Sequence, residues 1–273
     1  MIPDSEIVAY GPARRFESVE VGHYPGGEPL ITYVPSLIDA LIVRPSSMET
    51  LMAALFFIDV SKDRGYPPFD LVLPYFPGAR QDRTNNEGDM LFTARSVAKM
   101  INHLDNLAAV KVLDPHSDVV PALLNKCRVY SAAFALGGEI SFLSTTPDYV
   151  GVIAPDGGSV KRVDKVAQLM EVPVYQGRKH RDVRTGQLTG FSIEPLPPGH
   201  YLVVDDICDG GGTFIGLSQK FVAGVTADLY VTHGIFSKGT DELLARYDRI
   251  FCSDSLIVNA PGVEVIRTVE RMV

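Results

Sequence analysis

Cysteine is scarce in this chain of 273 residues. Cys127, Cys208 and Cys252 are scattered and odd in number, so they offer neither a disulfide framework nor a thiolate metal spacing. That scarcity predicts a reducing, cytoplasmic setting. No run of about 18 apolar residues is present, so no membrane-spanning helix is expected. The opening MIPDSEIVAYGPARR has no apolar signal core. Positive charge is also in deficit. A net charge of −8 argues against a general nucleic-acid partner. It leaves room for an anionic small molecule held by local basic groups. The length suits two medium domains better than a single core.

What the chain does have is an alternation of short β-branched runs with helical patterns. An edge hairpin is expected over Gly27–Val34, followed by a strand at Leu41–Val43 and a helix over Met48–Asp59 with its apolar residues on one face. Strands follow at Asp70–Pro74 and Ala109–Leu113, with a helix over Leu91–Leu104 between them. The pattern then restarts. Tyr149–Ala154, Val172–Tyr175, Tyr201–Asp205, Asp228–His233 and Arg249–Cys252 read as strands, and Ser159–Leu169 and Gly212–Ala223 as helices, with Thr240–Tyr247 continuing the series. This is the signature of α/β architecture with parallel sheets and crossover helices. Two halves are expected, 1–140 and 141–273, joined near the Gly-, Ser- and Thr-rich LGGEISFLSTTP. Gln176–Gly199 lacks apolar periodicity, carries Arg178, Lys179, Arg181 and Arg184, and reads as a long basic loop of the functional kind.

The strongest chemical signal is YLVVDDICDGGGTF. An apolar strand ends in Asp205 and Asp206. Asp209, Gly210, Gly211 and Gly212 form a turn, and Thr213 opens a helix. Ligands bind at the carboxyl ends of strands in open α/β sheets. Glycines allow backbone N–H groups close to a phosphate. Two adjacent carboxylates can accept hydrogen bonds from vicinal ribose hydroxyls or flank a divalent cation. The same residues also fit a strand end with solvated acids, and spacing alone leaves both readings open.

This segment resembles the phosphoribosyl-diphosphate motif of the type I phosphoribosyltransferase fold. LVLPYFPGARQDR (Leu71–Arg83) narrows the resemblance to the ribose-phosphate diphosphokinases, which make phosphoribosyl diphosphate. DPHS (Asp114–Ser117), APDGGSVKR (Ala154–Arg162) and RKHR (Arg178–Arg181) follow in the family order, and the dispersed motifs span roughly residues 25–258. The resemblance implies two tandem phosphoribosyltransferase-like domains, the first on the ATP side and the second binding ribose phosphate. It implies that Glu28, Arg80, Gln81, Asp82 and His116 contact ATP, and that His116 and Asp156 hold Mg2+. Asp205, Asp206, Asp209, Gly210, Gly211, Gly212 and Thr213 would cradle the ribose phosphate. Lys179 and Arg181 match the Lys-x-Arg of the catalytic loop. The implied reaction is attack by the anomeric hydroxyl of ribose 5-phosphate on the β-phosphorus of ATP, releasing AMP. A homo-oligomer, dimer or hexamer, with ATP sites shared between subunits, is implied too.

Four departures stand against that pattern. The ATP hairpin reads Gly26-Gly27-Glu28 where the family has Asn/Asp-Gly-Glu. Glu87 and Asp89 stand in TNNEGDMLFTAR, where relatives are basic, so the family's anion-dependent regulation is not expected. The amino-terminal stretch has no room for the family's opening strand and first helix. Gly210 replaces a Thr of the phosphate loop, removing a hydroxyl donor and adding space. The last departure admits a 5′-extended ribose, ADP-ribose, which would give ADP-ribose 1-diphosphate for NAD synthesis. A non-catalytic regulatory relative is a third alternative, opposed by the presence of Lys179, Arg181, His116 and Asp156. A phosphoribosyltransferase using the product-type ligand is opposed by Arg80–Arg83 and the Lys-x-Arg pair.

Overall fold

A computed structural model describes residues 2–31, 34–85, 90–138, 148–181 and 188–273, with backbone alone at 180, 181, 188 and 189. It divides into two compact units. Unit 1 comprises Met1–Tyr130, Ser255–Ile257 and Thr268–Val273; unit 2 comprises Ser131–Asp254 and Val258–Arg267. The division falls after Tyr130, earlier than the expected 140/141, and the connection at 139–147 lies outside the described residues.

Unit 1 opens with strands β1 (Ile7–Gly11) and β2 (Arg15–Ser18), then the short pair β3 (Val21–His23) and β4 (Pro29–Ile31). β5 (Ala40–Val43), β6 (Phe69–Val72), β7 (Leu107–Leu113) and β8 (Cys127–Tyr130) complete its strands. The main sheet has the order β2-β1-β5-β6-β7-β8. β5 to β8 are parallel, whereas β1 runs antiparallel to both β2 and β5. Crossovers are made by α1 (Met48–Ser61), α2 (Thr93–Asn102) and α3 (Val119–Leu123). Two expectations are corrected here. An opening strand is present, and a tight turn into β2 stands where a first helix was thought to lack room. The hairpin begins at Val21, with Gly27 in its turn rather than in a strand. Its expected far end at 32–33 lies outside the described residues.

Ser47 starts α1 by accepting the Thr50 N–H at 3.3 Å, satisfying a donor that the first turn leaves free. Leu51, Ala54, Leu55 and Ile58 of α1 enter the core. The expected single apolar face is not what forms: Phe56 is 52% and Val60 40% exposed on the other side. α2 behaves as its periodicity requires, burying Ala94, Val97, Ala98 and Ile101 on one stripe.

Unit 2 contains α4 (Ala132–Gly137), β9 (Gly151–Ala154), α5 (Val160–Met170), β10 (Val174–Arg181) and β11 (Leu188–Ile193). β12 (Gly199–Cys208), α6 (Gly212–Ser218), β13 (Val225–Gly234), α7 (Asp241–Leu244), β14 (Ile250–Ser253) and β15 (Val263–Ile266) follow. The sheet order is β11-β10-β9-β12-β13-β14-β15, with every pair parallel except β10–β11. β9 and β13 are buried almost throughout and β12 over Tyr201–Val204, as apolar runs in a parallel sheet demand. The basic stretch expected as a loop is instead largely a hairpin. Gly177 pairs with Ile193, Lys179 with Phe191 and Arg181 with Leu188. Its tip, 182–187, which includes Arg184, lies outside the described residues.

The strand order places a switch point between β9 and β12. β9 leads through α5 to β10 on one side, and the chain returns to β12 on the other. Loops leaving the carboxyl ends of two such neighbours diverge and leave a crevice.

Candidate active site

The crevice of unit 2 is built from four neighbouring strands. After β9, Asp156 sits in a tight turn: its Oδ1 accepts the Gly158 N–H at 2.9 Å, and Ser159 Oγ donates to its carbonyl at 2.9 Å. Lys179 reaches across from β10 and places Nζ 2.6 Å from Asp156 Oδ2. Burial pushes the Asp156 carboxyl up, but the hydrogen bond and charge of Lys179 and the turn's backbone donors outweigh it, holding the carboxyl below its ordinary value. Asp156 is thus an ionised, partly enclosed carboxylate, suited to a hard cation.

This approach depends on Gly177. A Cβ there would lie 2.8 Å from the Pro155 carbonyl oxygen and 3.0 Å from Leu217 Cδ1. Gly177→Ala is therefore expected to destabilise unit 2 by about 1–3 kcal/mol, the usual scale for overpacking, and to pull β10 from the Asp156 turn. Urea denaturation gives the first quantity. The Asp156–Lys179 spacing in a crystal structure of the variant gives the second; an unchanged spacing refutes the role of Gly177.

Asp205 and Asp206 lie late in β12, beside β9. Arg162, in the first turn of α5, reaches both: Nη1 is 3.4 Å from Asp205 Oδ1 and Nη2 3.8 Å from Asp206 Oδ2. Arg162 is itself only 9% exposed. The Asp206 N–H donates to Asp205 Oδ1 at 2.9 Å. Burial, then the charge of Asp206, push the Asp205 carboxyl well above its ordinary range, and Arg162 opposes that rise. In the sequence Arg162 closes the APDGGSVKR motif with nothing to mark a role for it. Asp205, the nearer of its partners, lies 43 residues further on, and only the β9–β12 adjacency brings them together.

The glycine turn completes this edge. Gly211 takes a left-handed conformation, φ +75°, immediately before α6. Gly212 is open, with no heavy atom within 4 Å of where a Cβ would stand. Asp209 accepts a hydrogen bond from Ser237 Oγ, and its carbonyl accepts the Ser237 N–H at 3.1 Å, which ties the loop after β13 to the turn. That tie lays the Lys238 stem over Gly210, its Cδ 3.2 Å and Cε 3.3 Å from the place of a Cβ. The space expected at Gly210 is therefore partly filled, by the stem of a cationic side chain 28 residues further along the chain. Thr213 is half-buried in the first turn of α6. Arg181 lies in β10, but its side chain is outside the described residues.

Unit 1 gathers its expected residues after β6 and β7. Arg80 and Gln81 are exposed, and the Gln81 N–H turns back to the Gly78 carbonyl at 2.8 Å. Asp82 is 4% exposed and held differently: Ser117 Oγ donates to its Oδ2 at 2.6 Å, and Arg83 Nε to its Oδ1 at 2.8 Å. Burial raises the Asp82 carboxyl, but the hydrogen bonds and charges of Arg83, Ser117 and His116 bring it below its ordinary value. Asp82 therefore fastens the 80–83 loop to the loop after β7, on which His116 is exposed. Glu28 is exposed in the β3–β4 turn. The acidic residues Glu87 and Asp89 lie outside the described residues.

No family model matches the chain. Curated relatives do. A ribose-phosphate pyrophosphokinase of Pyrococcus furiosus is 29% identical over 244 residues, covering 84% of this chain and 82% of that protein. One of Sulfolobus acidocaldarius is 24% identical over 273 residues, covering 93% of this chain and 84% of that protein. Among solved structures, a phosphoribosylpyrophosphate synthetase from Mycobacterium smegmatis has a TM-score of 0.75 at 21% identity, covering 92% of this chain and 86% of that one. That likeness identifies the fold as the two-domain, phosphoribosyltransferase-like α/β architecture. By these sequence matches the chain is a homologue of the ribose-phosphate pyrophosphokinases over more than four-fifths of its length.

Proposed function

We propose that the chain transfers diphosphate from ATP to the anomeric hydroxyl of ribose 5-phosphate, releasing AMP. The observation that carries this reading is the convergence in unit 2 of an ionised Asp156 paired with Lys179, an Arg162-bridged carboxylate pair and a glycine turn open at Gly212. Such a transfer is accelerated mainly by positioning and by electrostatic stabilisation of the polyphosphate. Asp205 and Asp206 accept the ribose hydroxyls, and the backbone of Asp209–Thr213 takes the 5′ phosphate. Lys179 and Arg181 meet the charge that develops on the transferred diphosphate. Arg80, Gln81 and Glu28 bind ATP, with Asp82 and Ser117 setting the loop that presents them. Domain roles follow: unit 1 serves ATP and unit 2 the sugar.

Magnesium fits Asp156 of unit 2, a carboxylate kept ionised beside Lys179; His116 of unit 1 is a separate candidate ligand. When bound, the ion would neutralise polyphosphate charge. A reducing, cytoplasmic compartment suits the three free cysteines, two of them buried. The exposed Phe56 and Val60 beside β4 suit a homo-oligomer whose contacts bring Glu28 to a neighbour's ATP.

A second reading rests on one feature. Gly210 lacks a hydroxyl, and the aliphatic stem of Lys238 packs over it, which supports a reading in which the Lys238 ammonium meets the additional phosphate of a 5′-extended ribose such as ADP-ribose. Incubation with ATP, magnesium and each sugar, with AMP detected chromatographically, separates the two. AMP with ribose 5-phosphate alone supports the first reading, and AMP with ADP-ribose alone supports the second. AMP with neither defeats both and returns the chain to a regulatory role.

A further inference from the structure

At the opposite edge of the unit 2 sheet, the amino ends of β12 and β13 and the segment before β14 bring together His200, Asp228 and Asp248. One ligand atom from each lies within 4.8 Å of the others. Asp228 is 0% exposed, His200 has a side chain 16% exposed, and Asp248 is 60% exposed. The backbone fixes the arrangement. His200 is in register with Thr226, and the Asp248 N–H donates to the Ala227 carbonyl at 3.0 Å. Tyr149 stacks on the His200 ring, with centroids 5.3 Å apart, and donates its hydroxyl to Asp228 Oδ2 at 2.6 Å.

Two buried atoms here have no hydrogen-bond partner: His200 Nε2 and Asp228 Oδ1. A buried carboxylate oxygen without a hydrogen bond is costly unless something binds it, and the His200 Nε2 beside it has only the approach of Asp228 Oδ2 at 3.3 Å. The nearby Arg249 does not satisfy them. Its Nε and Nη2 are engaged by Glu264 at 2.8 and 2.7 Å, and its guanidinium lies 4.6 Å from the centre of the Phe251 ring. Arg249 acts on Asp228 through its charge alone and leaves Asp228 Oδ1 without a hydrogen bond.

We propose that His200, Asp228 and Asp248 bind a divalent transition-metal cation of the zinc class. One imidazole and two carboxylates match that class, whereas an all-oxygen set would favour magnesium or calcium. His200 ligates through Nε2, which lies 3.3 Å from Asp228 Oδ2. Nδ1–H then donates to Thr226 Oγ1, 2.6 Å away, fixing the tautomer as outer contacts to metal-bound histidines do. Tyr149 holds the Asp228 carboxylate in the same manner. Asp248 closes the site from the solvent side, leaving the outward position to water. The cation joins β12, β13 and the approach to β14, so its effect is on stability and is separate from the diphosphate-transfer edge.

The test is Zn2+ titration of the full chain by calorimetry and by thermal denaturation. Asp228 is too buried for a safe substitution, so the variants are Asp248→Ala and His200→Gln, with Thr226→Val as the outer-contact variant. Wild type should bind one more equivalent of Zn2+ than Asp248→Ala or His200→Gln, and its Zn2+-induced rise in Tm should vanish in both. Thr226→Val should keep the equivalent with affinity weakened about 10–100-fold. Equal stoichiometry and equal thermal shifts in wild type and both ligand variants would overturn the proposal. So would a wild-type chain that binds no Zn2+.

Discussion

Lys179→Ala is expected to lower kcat for AMP release by on the order of 10³-fold while changing the KM for ATP only modestly. The side chain is 19% exposed and sits on β10 opposite Phe191, so the strand holds it rigidly. A cation in such a partly desolvated place stabilises developing phosphate charge far better than one in water. In the ligand-free chain its partner is Asp156, 2.6 Å away. Removing Lys179 therefore has a second consequence. Burial still pushes the Asp156 carboxyl up, and its largest counterweight is gone, so the carboxyl titrates at a higher pH than in wild type. The residual activity of Lys179→Ala should accordingly fall away at a higher pH on the acid side. Lys179→Arg keeps the charge with a different geometry and should recover part of the rate. Arg181→Ala is expected to lower kcat by a comparable factor. Full turnover in Lys179→Ala, with its fold intact by circular dichroism, removes Lys179 from the chemistry.

The strands that frame this site were legible because they are buried on both faces and read as apolar runs, as in Tyr201–Val204. The basic hairpin was not. Arg178, Lys179, His180 and Arg181 continue β10 past the last residue paired to β9, Gln176, so no core imposes an apolar alternation on them. Helix α6 stops at Ser218 rather than the expected Ala223, consistent with a short run that contains Gly216 and β-branched residues. Motif order located Asp156, Lys179, Asp205 and Asp206 at neighbouring strand ends, since a parallel sheet puts every carboxyl end on one edge. Arg162 and Lys238 were not assignable from the sequence. A lone cation in a helix or loop gives no sign of its partner until strand order is known. Asp82 was placed near ATP by its sequence context, and the structure adds a tie that the sequence did not disclose, the hydrogen bond from Ser117.

Asp205→Asn is expected to abolish transfer and yet raise the thermal stability of the ligand-free chain at pH 7. Asp205 is 13% exposed, and its carboxyl titrates well above the ordinary value of about 3.9, first from burial and then from the charge of Asp206. A carboxyl raised in this way binds its proton more tightly in the folded than in the unfolded chain. It weakens the fold as pH climbs from the unfolded value through the raised folded one, and costs nothing below the unfolded value. Asparagine is neutral at every pH and still accepts the Asp206 N–H, so the gain in Tm should be present at neutral pH and disappear near pH 4. Transfer is expected to move the other way, because the proposed contact with the sugar hydroxyls needs two ionised carboxylates. In wild type, kcat/KM for the sugar should therefore fall with decreasing pH at a point set by Asp205. Asp206→Asn removes the repelling charge and should move that point to lower pH. Arg162→Met removes the opposing cation, should move it to higher pH, and should destabilise the fold by about 3–5 kcal/mol by leaving buried carboxylates unmatched. A residue serving structure alone would lose stability and activity together. The opposite signs expected for Asp205→Asn mark a carboxylate held in an unfavourable place by the site it serves, and a fall in Tm at neutral pH would refute that assignment.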